Sequence, residues 1–145
     1  MGHYFAKIDW EDLEFVKTKF SSQISYYNSK LCNVLFTGKL VRILAEKSQE
    51  NANFANITCN SLHPGVVNTS LLTVPKLIRQ IFGRFIMTPE KGARTSFWAA
   101  TDKSLENTTG LYFDNCKIKT ASKMANPQNE DKLWEISQKM VAKFI

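Results

Sequence analysis

The stretch Ser25 to Glu46, SYYNSKLCNVLFTGKLVRILAE, constrains the fold of this chain more than any other. Tyr27, Leu31, Val34, Leu35, Val41, Leu44 and Ala45 recur at three- and four-residue steps, which places them on one face of a long helix. Within it Tyr26 and Lys30 are four residues apart, so both side chains leave the same side one turn apart. An ammonium beside a phenol favours the phenolate, and such a pair can pass a proton to an alkoxide or take one from an alcohol. The other reading is an exposed tyrosine beside a solvated lysine. Tyr4, Tyr27 and Tyr112 have Ile8, Leu31 and Cys116 in the place of a lysine.

Along the chain, Trp10 to Phe20 can form a short helix after Asp9, or a connector that merely packs. After the long helix, Phe54 to Leu62 carries the signal of a strand in a parallel crossover unit. It ends at His63, Pro64 and Gly65, where a fixed backbone angle followed by a free one predicts a sharp turn that lets amides approach a ligand. In doubly wound sheets ligands sit beyond the carboxyl ends of strands, which is where this turn falls. His63 itself reads as a capping or packing residue rather than a base.

Ser70 to Met87 is the most apolar run. Leu71, Val74, Ile78, Ile81 and Phe85 keep helical spacing, with Lys76, Arg79 and Arg84 as its charges. Such a stretch can cover a greasy substrate, lie at a membrane interface, or bury its apolar side within its own domain. Thr88, Pro89 and Glu90 start a helix that runs to about Thr101 on Ala93, Phe97, Trp98 and Ala100. Gly110 to Asp114 reads as a short last strand. Asn129 can cap a final helix whose Leu133, Ile136, Met140, Val141 and Phe144 share a face, with Glu135 and Lys139 paired outside it. No repeat or low-complexity linker divides residues 1–145, and one domain is the expectation.

Composition is that of a globular chain, 43% hydrophobic and 22% charged. The net charge of +6 is spread over the whole length, and no zinc-finger spacing, RNA-binding signature or basic run points to nucleic acid. Cys32, Cys59 and Cys116 are too scattered for a disulfide framework, so reduced thiols in a reducing compartment are expected. With His3 and His63 the only histidines, no histidine-bearing metal site is expected. Asn56, Asn68 and Asn107 open formal glycosylation triplets, but MGHYFAKIDWED reads as neither a leader nor a spanning segment.

SYYNSKLCNVLFTGKL, NSLHPGVVNTSLL, TPEKGARTSFWAA and TGLYFDNCK, in this order, resemble the short-chain dehydrogenase/reductase superfamily, nearest to its retinol-dehydrogenase-like members. The resemblance runs from Ile8 onward. It implies an α/β fold, the carboxyl-terminal part of a Rossmann-like, doubly wound parallel sheet. It implies Tyr26 as general acid or base and Lys30 as the group that assists it and holds the nicotinamide ribose. It further implies that Pro64, Gly65, Val67 and Thr69 meet the nicotinamide end of NADP or NAD, with backbone groups at Val67 on the carboxamide. By the same resemblance, 70–87 is the substrate-binding loop, and its apolar character fits a lipid-like alcohol or aldehyde such as a retinoid.

The six glycines, Gly2, Gly38, Gly65, Gly83, Gly92 and Gly110, are too far apart for the glycine-rich turn that holds a pyrophosphate. The serine and asparagine of the resembled site have no counterpart here. The expectation is therefore an oxidoreductase part that is inactive as this chain, with an open edge on Phe54 to Leu62 that favours poor folding or association. The alternatives are a non-catalytic interaction module, pairing with a full-length relative through its long helices, and a peripheral membrane protein working through 70–87. The expected location is intracellular, in the cytoplasm or on the cytoplasmic face of the endoplasmic reticulum membrane.

Overall fold

The computed structural model describes residues 2–65 and 88–144. The expectations for Val67, Thr69 and the apolar run 70–87 lie outside the described residues. Helix α1 spans Ser22–Glu50, three residues earlier and four later than the periodicity suggests, because Ser21 supplies an N-cap whose hydroxyl accepts from the Ile24 amide. Only its middle turns are buried: Leu31 and Leu35 are fully covered and Val34 nearly so, while Ala45 is exposed.

The strand expected over Phe54 to Leu62 is shorter. Ala52–Phe54 is a 3-10 turn capped by the Asn51 side chain, and strand β1 covers only Ser61–His63. Just before it, polar side chains share the pairing with one backbone bond, from the Gly110 amide to the Cys59 carbonyl at 2.9 Å. Thr109 Oγ1 accepts from the Cys59 amide at 3.0 Å, and Asn60 exchanges bonds with the Thr108 carbonyl at 2.7 Å and the Leu111 amide at 2.9 Å. Side-chain partners of this kind compete with regular pairing.

Helix α2, Pro89–Thr101, starts as expected on the Thr88 cap with Pro89 in its first turn. Its buried residues are Gly92 and Thr95, with Trp98 half-buried, whereas Phe97 is 71% exposed. Strand β2, Tyr112–Asp114, pairs in parallel with β1 in the register Ser61 to Tyr112, Leu62 to Phe113 and His63 to Asp114. Strand β3, Ile118–Lys119, was not expected. It pairs antiparallel with β2, so the sheet is mixed, in the order β1, β2, β3. The hairpin between them turns on Asn115 and Cys116, whose φ values of 52° and 55° suit the two central residues of a mirror-image turn.

Helix α3, Pro127–Val141, is capped by Asn126 rather than Asn129: the Asn126 side chain accepts from the Asn129 amide at 3.1 Å, and Pro127 occupies the first turn. Lys39 and Arg42 of α1 hold it, with Lys39 Nζ 2.8 Å from Asp131 and Arg42 reaching both Glu130 at 3.1 Å and Asp131 at 2.7 Å. Phe36 stacks on Trp134 beside them. Ala6, Leu31 and Leu35 form the core centre, flanked by Trp10, Tyr27, Met124 and Leu133. The expected apolar face of α3 is covered only in part: Leu133 and Ile136 are half-buried, but Met140, Val141 and Phe144 are exposed. Glu135 and Lys139 pair at 2.7 Å as the spacing suggests.

The segment Trp10 to Phe20 is not helical. The Asp12 carboxylate accepts from the amides of Val16, Lys17 and Thr18 and from the Thr18 hydroxyl, at 2.6 to 3.0 Å, and Phe15 sits at a φ of 56°. A carboxylate that gathers successive amides winds the chain around itself instead of into a helix.

Candidate active site

Tyr26 leaves α1 in its second turn and is 52% exposed. Lys30 follows one turn later, and its Nζ lies over the Tyr26 ring, 5.1 Å from the centroid. The 3-10 turn Gly2–Phe5 crosses this part of α1. A Cβ at Gly2 would stand 3.2 Å from both Tyr26 Cε1 and Tyr27 Cδ1, so a larger residue here would press on the two tyrosine rings.

Pro64 and Gly65 follow the carboxyl end of β1, and Gly65 has a φ of 86°, which side-chain-bearing residues rarely adopt. Tyr26, Lys30, Pro64 and Gly65 line one cleft of about 420 Å³. Four of the six residues singled out from the sequence are thus brought together, across a separation of almost forty positions. Phe36, Val34 and Leu62 give the cleft its apolar walls.

Two residues of the cleft were not read as ligand-facing from the sequence. His3 is 2% exposed and packs against Tyr4 and Tyr112, at 4.0 and 4.6 Å between ring centroids. Burial, the amino-terminal charge and His63 bring its pKa down to about 4, against the opposing Asp114. His63 is also lowered, chiefly by burial. Tyr112 is pushed up to about 12 by burial, with Asp114 and Tyr4 adding to the effect. No sequence pattern marks His3, since sixty residues separate it from its neighbour His63.

Among the described residues no group of three histidine, cysteine, aspartate or glutamate side chains is placed to hold a metal, and the three cysteines are free thiols. No helix among them is long and apolar enough to cross a membrane. The cleft lies at the carboxyl end of β1, with Tyr26 and Lys30 among its lining residues.

Compared with characterised proteins, the chain is 35% identical to retinol dehydrogenase 14 of Mus musculus and 35% identical to retinol dehydrogenase 12 of Homo sapiens, over 94% of its own length in each case. The sequence is retinol-dehydrogenase-like. Retinol dehydrogenase 11 of Mus musculus adds a further match at 32% identity. The resemblance to the short-chain dehydrogenase/reductase superfamily thus holds along nearly the whole chain. The chain spans about two fifths of the length of these relatives, 41% and 42% of the first two.

No protein-family profile matches the chain. In three dimensions it resembles the crystal structure of an uncharacterised protein from Mycobacterium paratuberculosis, with a TM-score of 0.69 at 22% identity, covering 98% of this chain and 47% of that one. The fold is accordingly α/β and Rossmann-like, corresponding to part of a larger sheet.

Proposed function

We propose that residues 1–145 form the proton-transfer part of a short-chain dehydrogenase/reductase domain, acting on an apolar, retinol-like alcohol or its carbonyl partner with NADP or NAD. The observation that carries this reading is the convergence of Tyr26 and Lys30 with Pro64 and Gly65 in one cleft. In this reading Pro64 and Gly65, with Gly65 at a φ of 86°, lie toward the nicotinamide carboxamide, and Lys30 holds a ribose hydroxyl. Val67 and Thr69 complete this set in our reading. When bound, the cofactor accepts or supplies hydride.

In alcohol oxidation the Tyr26 phenolate takes the hydroxyl proton, and in carbonyl reduction the phenol returns it to the oxygen. The Lys30 ammonium stabilises negative charge on the phenolic oxygen while the proton is away. The chain holds no glycine-rich turn for the pyrophosphate, so the reading requires residues beyond those present for turnover, and this chain by itself is inactive.

A chimera tests the assignment. The matching segment of human retinol dehydrogenase 12 is replaced by this chain, and nicotinamide-dependent retinol oxidation is measured. The chimera is expected to turn over, and Tyr26→Phe or Lys30→Met to lower kcat by about 10² to 10⁴. A chimera that folds, turns over and tolerates Tyr26→Phe sinks the reading.

The second reading, an interaction module, is supported by one observation. Strand β1 ends the sheet among the described residues, where Met140 and Val141 at the end of α3 and Phe144 just after it are exposed. An open edge and an uncovered helix face both favour pairing with another chain, here a full-length relative. A pull-down with such a relative that survives Tyr26→Phe, together with no response to cofactor, would favour it. Contact of 70–87 with a membrane surface is tested separately by vesicle binding that weakens with salt.

A further inference from the structure

The Asn28 side chain makes a two-bond pair with the backbone of a residue near the amino terminus. Its Oδ1 accepts from the Lys7 amide at 2.9 Å, and its Nδ2 donates to the Lys7 carbonyl at 3.1 Å. Among the described residues these are the hydrogen bonds that join residues 2–8 to α1. A side-chain amide carries an acceptor and a donor in one plane, so it meets the N–H and the C=O of one residue at once, as a neighbouring strand does; an aspartate only accepts.

The pair fastens one end of a strap. Residues 26, 27 and 28 step about 100° apart around α1, and residues 2–8 follow that path. Gly2 lies against Tyr26, where a Cβ would stand 3.2 Å from Cε1, Phe5 meets the Tyr27 ring at 5.6 Å between centroids, and Lys7 reaches Asn28. Ala6, on the way, is buried with Leu31 and Leu35. The other neighbours of the Tyr26 ring are Tyr27, at 5.9 Å between centroids, and Lys30, whose Nζ lies over its face. A ring 52% exposed exchanges rotamers unless a neighbour blocks it, and Gly2 is that neighbour at the Cε1 edge.

We propose that Asn28 is a positioning residue of the candidate active site: by fastening residues 2–8 around α1 it holds Gly2 against Tyr26 and keeps the phenol ring beneath Lys30. The proposal rests on reading Tyr26 and Lys30 as the proton-transfer pair.

Lys30 reports the arrangement, because protons held over an aromatic face are shielded. In the full chain, labelled with ¹³C at the lysine Cε, the Lys30 proton signal is expected upfield of its position in Tyr26→Leu. Asn28→Leu keeps the volume and removes both bonds, so it should lose most of that upfield shift while the Leu31 and Leu35 amides stay as protected from hydrogen exchange as in the parent. Asn28→Asp, which keeps the acceptor alone, should lose part of it. In the chimera with human retinol dehydrogenase 12, Asn28→Leu should lower kcat about tenfold and leave KM for retinol within about twofold.

A Lys30 signal that Asn28→Leu leaves in place overturns the proposal, as does an unchanged kcat in a chimera that Tyr26→Phe disables. Loss of the signal together with loss of amide protection throughout α1 overturns it too, since Asn28 then supports the fold alone. The Lys30 signal is read without cofactor or turnover, so a chimera that tolerates Tyr26→Phe sinks the proton-transfer reading and leaves the fastening of Tyr26 by Asn28 standing.

Discussion

Gly38 of α1 sits against the carboxyl group of Glu130 in α3: a Cβ at this position would stand 2.5 Å from Glu130 Cδ. The same carboxylate is held by Arg42 Nε at 3.1 Å, so it is not free to retreat. Gly38→Ala is expected to break the Arg42 to Glu130 contact and lower the urea midpoint. In a Glu130→Ala background the crowding is gone, and the same substitution should raise stability by about 1 kcal/mol, the ordinary gain of alanine over glycine within a helix. A double-mutant cycle checks this reversal of sign.

Stability should fall with acid in a window set by the histidines. His3 titrates near 6.5 when unfolded and near 4 in the fold. The unfolded chain therefore binds more protons between those values, and stability present above about 6.5 is lost as pH falls toward 4. His63, also lowered, acts in the same direction. Asp12 and Asp131, held down at about 2 by their hydrogen bonds to Lys17 and Arg42, lose their contribution only below the usual carboxylate range. Urea midpoints measured across pH 4 to 6.5 should slope for the parent chain, and His3→Phe should flatten the slope.

Cys116 adopts a φ of 55° at the second central position of the β2–β3 turn. Its amide donates to Thr95 Oγ1 at 3.3 Å, a bond that any residue at this position can keep. Cys116→Gly removes the strain of the left-handed conformation and should raise stability by about 1 kcal/mol. Cys116→Val should do the opposite. Thermal melts of both variants decide it.

Phe113 is 1% exposed and meets Trp98 edge to face at 5.2 Å, joining β2 to α2. Phe113→Ala should cost about 3–5 kcal/mol, the usual range for emptying such a site. Urea unfolding followed by tryptophan fluorescence measures it.

Much of this molecule was legible in one dimension. The helical periodicity around Tyr26, the four-residue spacing to Lys30 and the Thr88 to Glu90 helix start are local, and local spacing suffices to specify them. Where reading failed, partners from elsewhere in the chain had taken over. Asn60 and Thr109 satisfied the backbone that was expected to belong to a longer strand, and Asp12 collected three amides that a helix would have used.

What the sequence determined by itself is which side chains can share a helical turn and where the chain bends, because those follow from covalent geometry and short-range hydrogen bonding. Only the tertiary structure decided that Gly2 lies against Tyr26 and that His3 and His63 line the same cleft as Tyr26 and Lys30. Burial is a property of what packs from far along the chain, and no pattern within a short window of residues records it.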